Sequence, residues 1–560
     1  MDEREWREWA VAVAPHLRTL LGAVEAAAVE RELAAALALP PERAKSELRR
    51  IIVGHQELRT WVKRQRDARR DGYRVAHQPT TSAQRHLAVD FPGRAALGAR
   101  IPMIVQVVRA PVDGRSSPLR SFVLTKPETL SISVSAGPGL QGIGDLDQDL
   151  LLPVAADSDQ LRFAFVLVAP GLHEVFVRAF LGGSCLGEFR AEISVERDVP
   201  TQDLGVRGAE LRQIVREPGE VTLEVGPCAD GYSFRLVCDV PYERVVSRRL
   251  GDDVSVVAER VAAEIRNLAG RRSAFEDPKH VRRRLVGLGA SLWVDAVPSA
   301  IREQFWAQLP SITSLSVISD LDTTPWELLH PVDQDRGKFL VEWFPVVRRV
   351  NGQDQHPRTL RLSNAGYVVP PTSPDDAHAE VAAIRAKLGP RVADRGVVEK
   401  WGELSDLVVD GGFDLLHFAC HNTFDVDSGS ALELLGGTFR PVDLEVCVQR
   451  RVLAATGPLV FFNACRSAGE ARTLTSTSGW ATRFMRAGAG AFVGALWAVR
   501  SSSARVFAES FYDALLGGQP LGRASMTARE SVMVDEGDPT WLAYTVYGNP
   551  SAAVERSETS

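Results

Sequence analysis

Apolar positions along this chain pass from helical spacing to strict alternation and then to continuous buried runs, and each pattern predicts a different architecture. From about Arg4 to Arg70 the spacing is helical: Leu17, Leu20, Leu21 and Val24 share a face, and Leu33, Leu37 and Leu39 lead into Pro40-Pro41. Proline is tolerated in a first helical turn, where its missing N–H would have no partner. A further helix carrying Leu48, Ile51, Ile52 and Leu58 is therefore predicted beyond it. These elements make a small all-α bundle over residues 1–75. Its basic end, Lys63 to Arg70, reads as a solvated helix face, and His77 to Ala83 reads as a linker. Between about Gly93 and Glu196 the period becomes two, in runs at Met103, Leu130, Leu161 and Glu174 separated by turns such as Gly137-Pro138-Gly139. An all-β sandwich over 88–200 follows. A hairpin is predicted from Val221–Val225 and Tyr232–Val237, then a helix over Val254–Leu268.

From about Leu315 onward, strand-like runs alternate with amphipathic helices, the signature of a mostly parallel sheet flanked by helices. Two of these runs end in reactive side chains: Phe413 to His421, and Pro458 to Cys465. Apolar stretches of this kind suit strands buried on both faces. In open α/β sheets the ligand crevice lies outside the carboxyl ends of the strands, so His421 and Cys465 face one site if the strands are neighbours. A thiol needs ionising before it attacks, and an imidazole can take its proton and later give one to a leaving amine. His417, four residues before His421, is read as a core histidine bonded to backbone. Cys420 is a rival nucleophile by sequence, yet neighbouring strand residues point to opposite faces, so it is read as core. Gly488-Ala489-Gly490 precedes a strand instead of following one, the wrong context for cradling phosphate, and reads as a tight turn.

Composition narrows the classes further. At 560 residues the chain exceeds one core, and about two to four domains are expected. A net charge of -6 gives no footprint for nucleic acid. No apolar run reaches bilayer length and the charged start, Met1 to Trp6, is unlike a signal peptide, so a cytoplasmic protein with no membrane partner is expected. Six scattered cysteines make neither a disulfide framework nor a CxxC metal pair. Four of them, Cys185, Cys228, Cys238 and Cys447, read as small hydrophobes, and neither metal nor cofactor is called for.

Phe418-Ala419-Cys420-His421 and Asn463-Ala464-Cys465 resemble the His-Gly and Ser-Ala-Cys blocks of CHAT domains, relatives of caspases, separases and metacaspases. Further blocks resemble the same family in order: Pro325-Trp326-Glu327-Leu328-Leu329, the strand at Ala365–Val369, Gly488 to Trp497, and Tyr547-Gly548-Asn549-Pro550. The resemblance implies a multidomain protein whose α/β caspase-like catalytic domain covers 361–555, behind a β/α lead-in subdomain over 208–360. It further implies a cysteine endopeptidase with a Cys465–His421 dyad, serving bacterial defence or programmed cell death. Its partners would be a protein substrate, such as a death effector, and a recruiting or sensor protein held by the N-terminal module. Departures are visible too. Asn422 replaces a glycine after the histidine, where a positive φ would be tolerated by Asn. Arg466 replaces a glutamate, and Arg500, following Trp497, replaces an aspartate. These positions, with Asn463 and Trp497, are the oxyanion and substrate-pocket candidates. Relatives that cut after Arg or Lys carry Asp where this chain has Asn463, and a neutral amide cannot offset the desolvation of a buried cation, so no strict Arg/Lys requirement is expected. The departures also motivate an alternative: an inactive CHAT-fold scaffold or sensor.

Overall fold

The computed structural model describes residues 23–37, 39, 43–44, 47–48, 51–52, 85–109, 124, 126–197, 200, 206–211, 217–228, 231–247, 264, 278–319, 324–333, 336–353, 357–390, 392–425, 429–464, 478–497, 499–534 and 537–555. The chain separates into two compact units, Met1–Thr81 and Ser82–Ser560. In the first, the helix Ala23–Leu37 buries Val29, Leu33 and Ala36, the i, i+4, i+7 stripe of a helix with one covered face. Ala44, Leu48, Ile51 and Ile52 are helical and buried as well. Leu17, Leu20, Leu21 and Leu58, the basic run at 63–70 and the linker at 77–83 lie outside the described residues.

The second unit opens with two five-stranded sheets whose inner faces share one core that includes Leu87, Met103, Val105, Ile132, Phe165, Val177 and Ile193. Alternation accounts for it: along Arg100–Val108, residues 101, 103, 105 and 107 are buried and those between them are not. Val206–Leu211 pairs antiparallel with Arg85–Asp90, which carries this sheet past the boundary at 200 drawn from the sequence. An isolated six-residue run after a proline gave no sign of its distant partner.

The remainder is organised by one eleven-stranded sheet. Its spatial order starts with Val245–Ser247, Gly231–Val237, Glu220–Cys228, Ser314–Ser319 and Val346–Arg349, then continues with Tyr544–Tyr547, Ala491–Ala495, Leu459–Ala464, Leu415–Cys420, Asn364–Val368 and Ala393–Val398. The pairing is parallel except at the hairpin edge and between Ala491–Ala495 and Tyr544–Tyr547. The expected lead-in and catalytic region thus share one sheet, whose strand direction reverses between Ala491–Ala495 and Tyr544–Tyr547, the latter lying beside the lead-in strand Val346–Arg349. Helices cover both faces over two cores, one holding Tyr367, Phe461, Phe507 and Tyr544, the other Phe418, Phe462, Trp480 and Phe492. The helix expected at Val254–Leu268 lies outside the described residues apart from Glu264, which is helical. Gly488 has φ 108°, and a Cβ there would stand 2.4 Å from the Ala454 nitrogen, so the turn read from the sequence admits only glycine.

Buried charge joins the paired sheets to the large sheet. Arg178, 3% exposed, donates to Glu188 Oε2 at 2.5 Å, Glu224 Oε1 at 3.1 Å and Asn351 Oδ1 at 2.7 Å. Burial alone would raise the Glu224 carboxyl, but Arg178, Arg244 and Arg235 hold it below the usual range. Its contribution to stability is therefore present above the unfolded carboxylate pKa, about 4.5, and is lost as pH falls through the lower folded value. Gly183 fits the same junction, since a Cβ there would lie 1.9 Å from the Glu220 carbonyl oxygen. Arg178→Met leaves Glu188 and Glu224 buried with less compensation. Because Glu224 keeps two other arginines, the expected loss is about 2 kcal/mol, below the ~3–5 kcal/mol of a lone broken pair, read as a lowered urea midpoint for the transition that exposes the paired sheets.

Candidate functional site

Leu415–Cys420 and Leu459–Ala464 are neighbouring parallel strands, buried throughout their described side chains because helices pack on both faces of the sheet. Their register pairs Cys420 with Ala464. His421 follows the first of these residues by one peptide bond and Cys465 follows the second. Adjacent strands lie about 4.8 Å apart, so the two chains leave the sheet side by side at one rim. His421 is half-buried there. Cys465 and Arg466 lie outside the described residues.

Beneath this rim is a fully engaged polar network. His417 is wholly buried, stacked on Phe461 at 5.1 Å, and bonded to Tyr512 Oη through Nδ1 at 3.1 Å and to Glu380 Oε1 through Nε2 at 2.8 Å. Burial pushes the Tyr512 hydroxyl well up, which keeps it protonated and able to donate to Nδ1, leaving Nε2–H to donate to the carboxylate. Its partners are side chains, not the backbone groups expected from the sequence. Asn463 Nδ2 donates to the same Glu380 oxygen at 2.7 Å, and Asn463 Oδ1 accepts from Tyr544 Oη at 2.8 Å. Asn463 thus stands two residues before Cys465 with both ends of its amide held, and Glu380 supplies a carboxylate one hydrogen bond behind it.

Cys420 is 1% exposed and belongs to the core on the opposite face from His417, as pleating requires. Asn422 begins the strand Asn422–Asp425, paired opposite Leu432, and its buried side chain accepts from Trp480 Nε1 at 3.3 Å. The positive φ considered from the sequence does not occur, because strand pairing holds Asn422 extended; among the described non-glycine residues only Arg451 has one. Trp497 lies two residues beyond Ala495 at the same rim and is 5% exposed within the core. Arg500 precedes helix Ser501–Leu516 with no side-chain capping bond, and its guanidinium reaches Asp538 at 3.8 Å. The structure therefore brings His421 and the Cys465 strand together, while Asn422, Asn463 and Arg500 take internal partners.

Glu380, Tyr512 and Tyr544 were not singled out by sequence reasoning as parts of the site. One signal was present: Glu380 falls on the stripe Ala377, Val381, Ile384 and Leu388, so a charge sits on the apolar face of its helix.

Residues 293–549 match the family model of the CHAT domain. The chain carries a CHAT domain. Both reactive strand ends and the Glu380 network lie inside it. The chain is also similar to solved structures that include the Arg-specific cysteine proteinase gingipain R, at 12% identity and TM-score 0.32, covering 56% of this chain and 77% of that one. A complex of Porphyromonas gingivalis RgpB pro- and mature domains is similar at 11% identity and TM-score 0.33, covering 56% and 79%. The Saccharomyces cerevisiae separase–securin complex is similar at 13% identity and TM-score 0.30, covering 55% of this chain and 23% of that chain. No curated protein matches the sequence. Among the described residues no helix is long and apolar enough to cross a membrane, and no group of three His, Cys, Asp or Glu is placed to hold a metal ion.

Proposed function

We propose that the CHAT domain is a cysteine endopeptidase acting inside the cell, with Cys465 as nucleophile and His421 as its acid–base partner. The observation that carries this reading is the parallel register pairing Cys420 with Ala464, which puts the residues before the imidazole and the thiol opposite one another at one rim. In the proposed reaction His421 takes the thiol proton and the sulfur bonds to the scissile carbonyl carbon. The C–N bond then breaks as His421 returns the proton to the amine. Water hydrolyses the thioester, releasing the acid and restoring the thiol. The backbone N–H of Cys465 is the proposed oxyanion donor.

The Glu380 network supports the reading as a rigid floor: it locks Asn463, and with it the strand end from which Cys465 emerges. The departures at Asn422 and Arg500 have internal roles, with Trp480 and Asp538, that an active enzyme can keep. Asn463 is neutral and Glu380 is engaged by His417 and Asn463, so cleavage without a strict Arg or Lys requirement remains part of the proposal. So does the setting: bacterial defence or programmed cell death, with recruitment through residues 1–75.

A peptidyl acyloxymethyl ketone, which alkylates an activated thiol, is expected to label the full-length protein and to leave Cys465→Ala unlabelled at equal folded content by circular dichroism. Equal labelling of both would turn the reading toward the inactive scaffold. New protein N-termini found on expressing wild type but not Cys465→Ala would identify the substrate.

A further inference from the structure

The opposite rim of the sheet carries a second, unassigned site. A cavity of about 80 Å³ opens where Ser314–Ser319, Val346–Arg349 and Tyr544–Tyr547 end, lined by residues that include Ser319, Trp326, Arg348, Arg349, Thr482 and Arg486. Tyr547 pairs with Arg348 and with Phe492, near the start of its strand, whereas Cys420 and Ala464 end theirs, so the cavity and His421 face opposite edges. No carboxylate is among the described residues lining it.

Its donors are under-used. Arg349 is 3% exposed and bonds Glu220 only through Nη2, at 3.3 Å, while its Nε and Nη1 are buried without a hydrogen-bond partner. The Trp326 indole N–H, also buried, has none. Arg486 gives Nε to the Asn351 carbonyl at 3.1 Å and has no carboxylate within ion-pair distance among the described residues. Glu327 is taken up by Arg348, at 3.0 and 2.5 Å. Buried N–H groups left unmade are costly, more so on a cation, and an anion is what satisfies donors whose residues line one cavity with no carboxylate in its lining.

We propose that this cavity binds a phosphate-class oxyanion through Arg349, Arg486 and the Trp326 N–H. Its size admits one tetrahedral group, either free phosphate or the terminal phosphate of a larger molecule lying outside. Occupancy has a route to the other rim. Thr482 and Arg486 are on the helix Ser478–Arg486, which begins directly after residues 465–477 and whose Trp480 bonds Asn422, the neighbour of His421. An anion clamped by the last turn of that helix steadies the element whose Trp480 holds Asn422.

The test is calorimetric titration of the full chain with inorganic phosphate at fixed ionic strength, with sodium chloride as control, and separately with a nucleoside triphosphate. Saturable phosphate binding is expected, weakened at least about tenfold by Arg486→Gln, a half-exposed position whose change leaves the buried pairs intact. Arg349→Gln should abolish binding. Tighter binding of the triphosphate, competing with phosphate, assigns the source to a larger phosphorylated ligand; phosphate alone binding assigns it to the free ion. Amide hydrogen exchange in residues 478–486 should slow on phosphate addition and not on chloride. Absence of saturable binding, or equal binding by both variants and wild type, overturns the proposal. None of these readouts requires peptidase activity.

Discussion

On the proposed mechanism His421→Ala is expected to slow peptide cleavage by about 10²–10⁴-fold, the usual worth of a positioned general acid–base group, with the loss in kcat and little change in KM. The side chain is half-buried at a strand end, outside the two cores, so its truncation removes chemistry and little packing. The companion variant sharpens the reading. Cys420→Ala, one residue away and 1% exposed in the core of the opposite face, keeps the wild-type kcat and instead lowers the denaturation midpoint, by about 1 kcal/mol for a small buried group. Turnover measured on a peptide taken from an identified cleavage site separates the two. A His421→Ala protein as fast as wild type would remove the imidazole from the mechanism, and loss of kcat in Cys420→Ala would reopen the choice of thiol.

Arg348→Met destabilises the second unit by about 3–5 kcal/mol, because it strands a carboxylate that is wholly buried. Glu327 is 0% exposed and receives Arg348 Nε at 3.0 Å and Nη2 at 2.5 Å. Burial would raise its carboxyl, yet Arg348, with Arg529 nearby, holds it below the usual range. Arg529 is pulled down to about 10 by burial, and it donates to the carbonyls of Trp541 and Tyr544 at 2.5 and 2.6 Å. Tyr544 in turn holds Asn463, so the loss reaches toward the candidate site. Urea unfolding reads the effect, and adding Glu327→Gln should recover part of it by removing the uncompensated charge. The pair's contribution is present above about pH 4.5 and fades as pH falls through the depressed folded value, so wild type and Arg348→Met should converge in acid. No recovery in the double variant would mean that packing, not charge, dominates at this position.

The block around Glu327 shows how far residue patterns reach. Pro325 to Leu329 stood out as a family block, but its glutamate, in a short 3-10 turn, is a buried ion-pair partner of a residue on the strand Val346–Arg349, which no local pattern announces. Asn463 was weighed as a pocket residue because it stands where relatives that cut after Arg or Lys carry Asp; its partners, Glu380 and Tyr544, are 83 and 81 positions away. Positional logic served better where the physics is local. Alternation placed Cys420 in the core as the neighbour of His421, where it is found, and the glycine turn at Gly488 was readable because a strand follows it.

Period and spacing alone marked the strands that end at His421 and before Cys465, the hairpin at the sheet edge and the alternating runs of the paired sheets, because a strand's burial pattern is written in its own residues. Which strands become neighbours, and in which register, was decided only by tertiary packing. The same holds for the floor of Glu380, His417, Asn463, Tyr512 and Tyr544 and for the arginine-lined cavity at the far rim. Each of these depends on contacts between residues far apart in the chain, whose energies arise only once desolvation forces buried polar groups to find one another.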